Sequence, residues 1–319
     1  MSRPRALFIG GSLNQTRQLH AVSRALPEVE AAFSPFYGGR ALALARRLGL
    51  IDAWIGGKKR RGWCLQYLGA HGLTIDLDGE RGGYDLVVSC TDLVVPDNVA
   101  GVPLVVVQEG IFDRDGVLAA VCRTVPGLPR WLAGTALTGE SGLYARFCAA
   151  SHGYRERLLA RGAEVERVVV TGIPGFDDCR AYLDNDFPLR GYVLVCTSDG
   201  RETDKHDDRE RLIRRAVGIA AGRPLVFKLH PNENGARSRA EIERLAPGAR
   251  VFQDGSAEEM IANSELLITE WSSTVFVGMA LGKPVYSNFP ESELRRLLPW
   301  QNGGTAAARI ARVCREVLA

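Results

Sequence analysis

The sequence predicts an α/β fold made of two doubly wound, Rossmann-like domains with a cleft between them. Short apolar runs rich in Val, Ile and Leu alternate with segments of helical periodicity along most of the chain. Continuous apolar runs of this kind are typical of parallel strands that are buried on both faces. The chain has 319 residues, 46% of them hydrophobic, which is enough for two separate cores. Two successive strand–helix series therefore predict two domains.

The first series predicts an N-terminal domain over residues 1–175. Its predicted strands share an uninterrupted apolar run: residues 6–9, 85–89, 103–108 and 168–172. A glycine-containing loop, residues 10–16, separates the first strand from an amphipathic helix over residues 17–26. Prolines and glycines interrupt residues 123–149, where we expect helices broken by turns.

The second series predicts a C-terminal domain over residues 176–302. It follows a stretch rich in Pro, Gly and Asp, residues 174–191, whose composition is typical of a domain junction. Strands are predicted at residues 192–197, 225–229, 250–252, 266–268 and 284–287, with helices at 209–221, 237–245, 257–263 and 275–281. The tail, residues 303–319, predicts one amphipathic C-terminal helix.

Composition and charge narrow the class of protein. Charged residues make up 24% of the chain and the net charge is only +3, too small to indicate nucleic-acid binding. The basic run Lys58–Arg61 is typical of a solvated surface, and contact with an anionic membrane surface is the alternative. No stretch approaches the roughly 20 apolar residues of a membrane-spanning helix. Seven cysteines without a CxxC pair indicate reduced thiols and no metal site, so we expect a cytoplasmic protein, with the inner face of the membrane as a second location.

The strongest sign of a binding site lies where the predicted strand 266–268 ends. Three hydroxyl residues, Ser272, Ser273 and Thr274, begin the helix that follows. The first amides of a helix and the positive end of its dipole attract anions, although hydroxyl residues at this position are usually only caps. Three in succession exceed what one cap needs, and this predicts a phosphate site.

Two other predicted strands of the second domain end in polar residues. Lys228 and His230 lie two positions apart at the end of one strand, so both side chains are expected on the same side and can reach one ligand. Thr197 and Ser198 end another strand in a Thr-Ser-Asp-Gly turn, which either wraps phosphates or is ordinary turn chemistry. Because ligands of open parallel sheets bind beyond the carboxyl ends of the strands, these residues predict one diphosphate pocket.

The first domain offers candidates for an acceptor site and a general base. Gly11 and Asn14 lie in the loop after the first strand, where they either contact a ligand or form a plain turn. Glu109 ends a buried strand in Gln108-Glu109-Gly110 and is a candidate base; a helix cap or an ion pair is the alternative. His20, on the first helix, is the other candidate base, although a lone histidine there is more often a partly buried helix residue.

Several segments resemble the GT-B glycosyltransferase superfamily, nearest to its branch of CDP-glycerol glycerophosphotransferases, capsule-polysaccharide transferases and UDP-N-acetylglucosamine 2-epimerases. These segments are Val169–Asp177, Ser151–Gly162, Phe227-Lys-Leu-His-Pro231 and Ile268-Thr-Glu-Trp-Ser-Ser-Thr-Val-Phe276. The resemblance covers most of residues 150–290 and, more loosely, residues 6–26. Two features of the branch are absent: its Trp-His-Gly acceptor loop, where Gln108-Glu-Gly stands instead, and the Gly-Gly pair of the epimerases. The position within the superfamily therefore stays open.

The resemblance implies a nucleotide-diphosphate donor bound to the second domain. Its phosphates would meet His230 and the three hydroxyl residues, and Glu270 would lie near the ribose or base. The acceptor would approach Gly11, Asn14, His20 and Glu109 on the first domain. Enzymes of this kind usually need neither cofactor nor metal, because protein groups carry the charge of the leaving phosphate.

We therefore expect a glycosyltransferase-like enzyme of cell-surface polysaccharide biosynthesis. It would move a sugar or an alditol phosphate from a nucleotide-activated donor to a glycan or lipid-linked acceptor. A nucleotide-sugar epimerase or hydrolase on the same scaffold is the alternative, and a non-catalytic nucleotide-binding domain pair is the third hypothesis.

Overall fold

The strands form two separate parallel sheets in the computed structural model, which describes residues 3–35, 58–125, 127–202 and 207–319. The chain divides into two compact units, one formed by Met1–Asp177 with Asn302–Ala319 and the other by Asp178–Gln301. Each unit carries one sheet with helices around it. This confirms the predicted α/β fold class of two doubly wound domains.

The first unit has a sheet of six strands in the order β2-β1-β3-β4-β5-β6. The strands are β1 (Arg5–Ile9), β2 (Glu30–Ser34), β3 (Leu86–Ser89), β4 (Leu104–Val107), β5 (Arg146–Ala149) and β6 (Val168–Val170). The helices are α1 (Leu13–Arg24), α2 (Lys58–Ala70), α3 (Val117–Thr124) and α4 (His152–Ala160), and a 3-10 segment covers Arg130–Leu137. All strand pairs are parallel, and the direction of winding reverses between β1 and β3.

The second unit has a sheet of five strands in the order β11-β10-β7-β8-β9. The strands are β7 (Val193–Cys196), β8 (Leu225–Lys228), β9 (Arg250–Phe252), β10 (Leu266–Ile268) and β11 (Val285–Tyr286). The helices are α5 (Arg209–Ala220), α6 (Gly235–Leu245), α7 (Ala257–Asn263), α8 (Thr274–Ala280) and α9 (Glu291–Leu297). The winding reverses between β7 and β10, since β8 and β9 extend the sheet to one side and β10 and β11 to the other.

The last helix, α10 (Ala306–Leu318), belongs to the first unit. Its apolar side chains Ile310, Val313 and Cys314 are fully buried in the same core as Phe8 of β1 and Leu19 of α1. Outside this core, Arg315 forms an ion pair with Glu28 at 2.6 Å. The amphipathic pattern of the tail therefore exists because one face of the helix covers the first sheet.

Two strands of the first sheet were not predicted from the sequence. The edge strand β2 has the sequence Glu-Ala-Ala-Phe-Ser, which lacks a continuous apolar run. The strand β5, Arg-Phe-Cys-Ala, lies inside residues 123–149, where turns and broken helices were expected. Pairing with β4 and β6 on both sides makes β5 a strand, which is a decision of the tertiary structure rather than of local propensity.

Candidate functional site

Polar loops of the first unit follow the carboxyl ends of its central strands. After β1 the chain turns through Gly10 and Gly11 into Ser12, whose hydroxyl oxygen accepts a hydrogen bond from the Gln15 amide at 3.1 Å and caps α1. This is ordinary capping chemistry at the N-terminus of a helix. It also places the first turn of α1 beside the end of β4.

The carboxylate of Glu109, directly after β4, is held by side chains of that first turn. Its Oε1 accepts hydrogen bonds from Ser12 Oγ at 3.1 Å and from Asn14 Nδ2 at 3.5 Å, and its Oε2 accepts one from Gln15 Nε2. Glu109 is half-buried. Nearby, burial and the Glu109 charge raise the pKa of the Cys90 thiol well above its usual range, so this cysteine stays neutral. The structure thus joins Glu109 to the loop of Gly11 and Asn14.

Buried glutamines that the sequence reasoning missed complete this arrangement. Gln15 Oε1 accepts from the Gly11 amide at 2.6 Å, so the same side chain bridges the glycine loop and Glu109. Gln18 Nε2 donates to the Glu109 carbonyl at 3.3 Å. Gln108 donates to the Gly110 carbonyl and accepts from the Ala150 amide, both at 2.9 Å. The available signal was polar residues at positions where an amphipathic helix and an apolar strand would bury apolar ones.

His20 lies on the opposite face of α1 from the residues that contact Glu109. Its Nδ1 is 2.9 Å from the Tyr67 hydroxyl of α2, and its ring meets that of His71 at a centroid distance of 5.2 Å. Burial lowers the pKa of His20, and the charges of His71 and Arg24 lower it further. The structure therefore does not bring the two candidate bases together.

In the second unit, the predicted phosphate-binding residues follow three adjacent strands. Thr197 and Ser198 follow β7, the central strand, His230 follows β8, and Ser272–Thr274 follow β10. The register places Cys196 beside Lys228 and Val195 beside Ile268, so the three loops begin at one edge of the sheet. The β7 and β10 loops flank the reversal of winding, which is where doubly wound sheets bind ligands.

His230 presents its imidazole at this edge with 38% of the side chain exposed. Its Nδ1 accepts a hydrogen bond from the Asn232 amide at 3.3 Å and lies 3.6 Å from Asp199 Oδ2. Because Nδ1 accepts in this arrangement, the proton of the neutral ring is on Nε2. That N–H group can donate to an anionic oxygen.

Lys228 and Thr197 are engaged with protein groups instead. The buried ammonium of Lys228 donates to the carbonyls of Leu229 at 3.0 Å and Gln253 at 2.8 Å, and burial lowers its pKa. The buried Thr197 hydroxyl donates to the Glu233 carboxylate. In this structure both side chains support the loops, and phosphate contact by either stays a prediction.

A buried ionic network, not foreseen from the sequence, fixes these loops. The Glu233 side chain is fully buried and accepts from Arg209 Nη1 at 2.7 Å, Ser238 Oγ at 3.0 Å and the His230 amide at 2.9 Å. Arg209 also pairs with Asp207 at 2.9 Å and donates to the Ser198 carbonyl at 2.9 Å. Glu233 follows His-Pro-Asn, and a carboxylate so close to a strand-end histidine was the available signal.

The hydroxyl cluster after β10 is half-buried and hydrogen-bonded internally. Thr274 Oγ1 donates to Ser272 Oγ at 2.9 Å, whereas Ser273, at the N-cap position of α8, makes no side-chain cap. Just before them, burial and the charge of Asp207 raise the pKa of Glu270, an effect opposed by a hydrogen bond from Asn288. Two hydroxyls and a carboxyl group of raised proton affinity therefore stand beside each other.

Two kinds of feature are absent from the part of the chain that the structure describes. No group of three His, Cys, Asp or Glu side chains is placed to hold a metal ion in this part of the chain. None of its helices is long and apolar enough to cross a membrane. All seven cysteines are buried.

Two doubly wound units with polar strand ends define the GT-B class of fold, and solved structures of that class match nearly the whole chain. The UDP-GlcNAc 2-epimerase of Methanocaldococcus jannaschii, solved with UDP-GlcNAc and UDP, has a TM-score of 0.57 at 14% identity and covers 98% of this chain and 99% of its own. The epimerase of Neisseria meningitidis, bound to UDP-GlcNAc, has a TM-score of 0.58 at 11% identity with the same coverage. The wall teichoic acid polymerase TagF has a TM-score of 0.54 at 12% identity and covers 100% of this chain and 89% of its own.

The resemblance to the GT-B superfamily is thereby confirmed at the level of the fold. No protein-family model matches the chain, and no curated protein matches it significantly. At 11–14% identity these structures share an architecture with this chain, and function has to be argued from its own residues.

Proposed function

We propose that this protein is an enzyme that uses a nucleotide-diphosphate donor and transfers a sugar or an alditol phosphate to a glycan or lipid-linked acceptor. The observation that supports this most directly is the gathering of His230, Ser198 and Ser272–Thr274 beyond the carboxyl ends of three adjacent strands. Imidazole and hydroxyl donors at a reversal of winding suit a diphosphate. UDP-GlcNAc, which is bound in two of the structural neighbours, belongs to this chemical class.

On the donor side, His230 is the principal group for the leaving phosphate. Its Nε2–H can donate to a phosphate oxygen, and Asn232, whose amide donates to Nδ1 at 3.3 Å, holds the ring in this tautomer. Ser272, Ser273 and Thr274 add hydroxyl donors. In sugar transfer the bond from the donor carbon to the phosphate oxygen breaks, and negative charge builds up on the leaving nucleoside diphosphate. In alditol phosphate transfer the bond between the two phosphates breaks, and the charge builds up on the leaving nucleoside monophosphate. These donors stabilise either charge without a required metal ion.

On the acceptor side, Glu109 is the better-placed base. In sugar transfer it would take the proton of the acceptor hydroxyl, whose oxygen then forms the new bond to the donor carbon. The hydrogen bonds from Ser12, Asn14 and Gln15 fix the carboxylate in position. Gly11 belongs to the same loop, where its amide donates to Gln15 Oε1 at 2.6 Å.

Epimerisation or hydrolysis of a nucleotide sugar is the second candidate. The structural neighbours solved with UDP-GlcNAc are epimerases, and a fixed carboxylate such as Glu109 suits proton abstraction as well as activation of an acceptor. In that case no acceptor is required. A non-catalytic nucleotide-binding pair of domains is the remaining alternative.

Incubation with UDP-, CDP- and GDP-linked donors separates these functions. Transfer consumes donor only when an acceptor is added, whereas epimerisation or hydrolysis proceeds without one, and a binder turns over nothing. His230→Ala should reduce turnover about 100-fold or more, because one donor to the developing charge is lost. Unchanged turnover by a folded His230→Ala variant would contradict the phosphate assignment.

A cytoplasmic location with contact at the inner face of the membrane is part of the same proposal. The basic run Lys58–Arg61 begins α2, and a lipid-linked acceptor would lie at a surface that attracts such charge. Replacing the four basic residues by glutamine should weaken sedimentation with anionic vesicles. Equal sedimentation of both proteins would argue against this contact.

A further inference from the structure

Trp271 is a large aromatic residue in the loop that follows β10, the loop that also carries Ser272–Thr274. It lies between Glu270 and Ser272, three residues beyond the end of β10, and 45% of it is exposed. An indole is a large apolar side chain that is usually well buried, so a half-exposed indole beside a polar site indicates a surface for ligand contact. The loop of Trp271 flanks the reversal of winding, where doubly wound sheets bind their ligands.

The indole is held in place by the neighbouring loop. Phe289, which follows β11, meets it edge to face with a centroid distance of 4.8 Å and an interplanar angle of 85°. The two loops are joined because the Asn288 amide donates to the Glu270 carbonyl at 3.3 Å. Within the second loop, the Phe289 amide donates to Ser287 Oγ at 3.2 Å. A ring fixed in this way loses little conformational freedom when a flat ligand stacks on it.

We propose that Trp271 is the platform on which the nucleobase of the donor stacks. This inference rests on the proposed function, since it takes the hydroxyls of Ser272–Thr274 as phosphate ligands. Trp271 directly precedes Ser272 in the chain, so we expect a nucleotide whose phosphates lie on these hydroxyls to come within reach of the indole. Every nucleobase has an aromatic face, so stacking supplies affinity without choosing the base.

Glu270 is placed to supply the selectivity that stacking lacks. Its carboxyl group adjoins the indole in the chain and is hydrogen-bonded by Asn288 on one side. A carboxylate accepts hydrogen bonds from a ribose hydroxyl or from an N–H group of a base. The pair Trp271 and Glu270 therefore fits a nucleoside better than it fits a bare phosphate.

The test compares the binding of UDP, CDP, GDP and inorganic pyrophosphate by calorimetry. The proteins are the wild type, Trp271→Ala, the conservative Trp271→Phe, and Trp300→Phe as a matched control, since Trp300 is another partly exposed indole of the same unit at 37%. We expect Trp271→Ala to raise the Kd of the preferred nucleotide about tenfold and to leave that of pyrophosphate unchanged. Trp271→Phe should keep part of the affinity, and the control should behave as the wild type. Nucleotide should also quench tryptophan fluorescence in the wild type and not in Trp271→Phe.

The outcomes separate this inference from the proposed function. Nucleotide binding that is weakened by His230→Ala but not by Trp271→Ala would overturn the platform and leave the phosphate site standing. If no nucleotide and no pyrophosphate binds the wild type, both proposals fail together. Fluorescence quenching by a free sugar, with none by nucleotide, would assign the indole to a sugar ring and overturn the nucleobase.

Discussion

At the scale of single residues, the role of a polar side chain at a strand end depends on its hydrogen-bond partners. Glu109 and Lys228 both lie at the ends of buried strands, but their partners differ. The Glu109 carboxylate is hydrogen-bonded by side chains of the loop after β1. The Lys228 ammonium donates to two main-chain carbonyls. A residue type at the right position is thus a necessary condition for a site, and its hydrogen-bond partners decide its role.

The first prediction distinguishes the two candidate bases. Glu109→Gln should lower turnover at least 100-fold, because the amide keeps the shape and loses the ability to take a proton. His20→Gln should have a much smaller effect, since His20 contacts Tyr67 on the other face of α1. Steady-state kinetics on the preferred donor measure both. A larger loss in His20→Gln than in Glu109→Gln would reverse the assignment.

The second prediction uses the raised pKa of Glu270. Burial, with the charge of Asp207, raises its pKa above the ordinary 4.5, so the folded protein holds this proton more tightly than the unfolded chain. The wild type therefore loses stability as the pH rises from about 4.5 through the folded pKa, and the loss persists at neutral pH. Glu270→Gln should be more stable than the wild type at pH 7, and this gain should vanish near pH 4.

Thermal unfolding at the two pH values checks this sign. A gain of equal size at pH 4 and pH 7 would mean that charge is not the cause. If the stabilised variant binds nucleotide less well, the unfavourable charge is retained for function.

At the scale of elements, loops around the second sheet are held by one buried carboxylate. Glu233 connects the β8 loop through the His230 amide, the β7 loop through Thr197, α5 through Arg209 and α6 through Ser238. These partners come from four separate elements of the second unit. The geometry of the proposed phosphate site therefore depends on a residue that need not touch the ligand.

The third prediction follows from the burial of that network. Glu233→Ala should cost about 3–5 kcal/mol of stability, because it leaves Arg209 as a buried charge without one of its partners. Arg295→Ala is the matched control: it breaks the exposed i,i+4 pair with Glu291 and should cost no more than about 0.5 kcal/mol. Chemical denaturation measures both variants. Similar costs for the two pairs would refute the structural role of Glu233.

At the scale of the whole molecule, the chain leaves the first unit at Asp177 and returns to it at Asn302. The Asn302 amide donates to the Asp177 carbonyl at 2.8 Å, and the Ala306 amide to Asp177 Oδ2 at 2.7 Å, so the two passages are joined where they meet. The first core therefore includes α10, which the whole second unit separates from the rest of the first unit in sequence. Folding of this unit needs residues far apart in sequence.

The fourth prediction tests this dependence. Ile310→Ala, in the fully buried face of α10, should destabilise the first unit by about 2–5 kcal/mol through the cavity it leaves. Arg312→Ala, on the exposed face of the same helix, should stay within about 0.5 kcal/mol of the wild type. Nucleotide binding by the second unit should survive in Ile310→Ala. Loss of that binding at a temperature where the variant is folded would contradict the assignment of nucleotide binding to the second unit.

The sequence by itself determined the fold class, most of the strands and the strand ends that carry polar groups. It did so because buried parallel strands require continuous apolar runs, and because hydroxyls, His230 and Glu109 interrupt those runs at their ends. Tertiary structure decided which of these groups are available to a ligand. Lys228 and Thr197 are hydrogen-bonded to protein groups, and His20 lies away from Glu109. Strand pairing in the folded sheet also made strands of β2 and β5. Tertiary structure also introduced Gln15, Arg209 and Glu233 as supports. Such roles depend on partners contributed by distant segments, and the physical reason is that a buried polar group takes its function from whatever satisfies its hydrogen bonds.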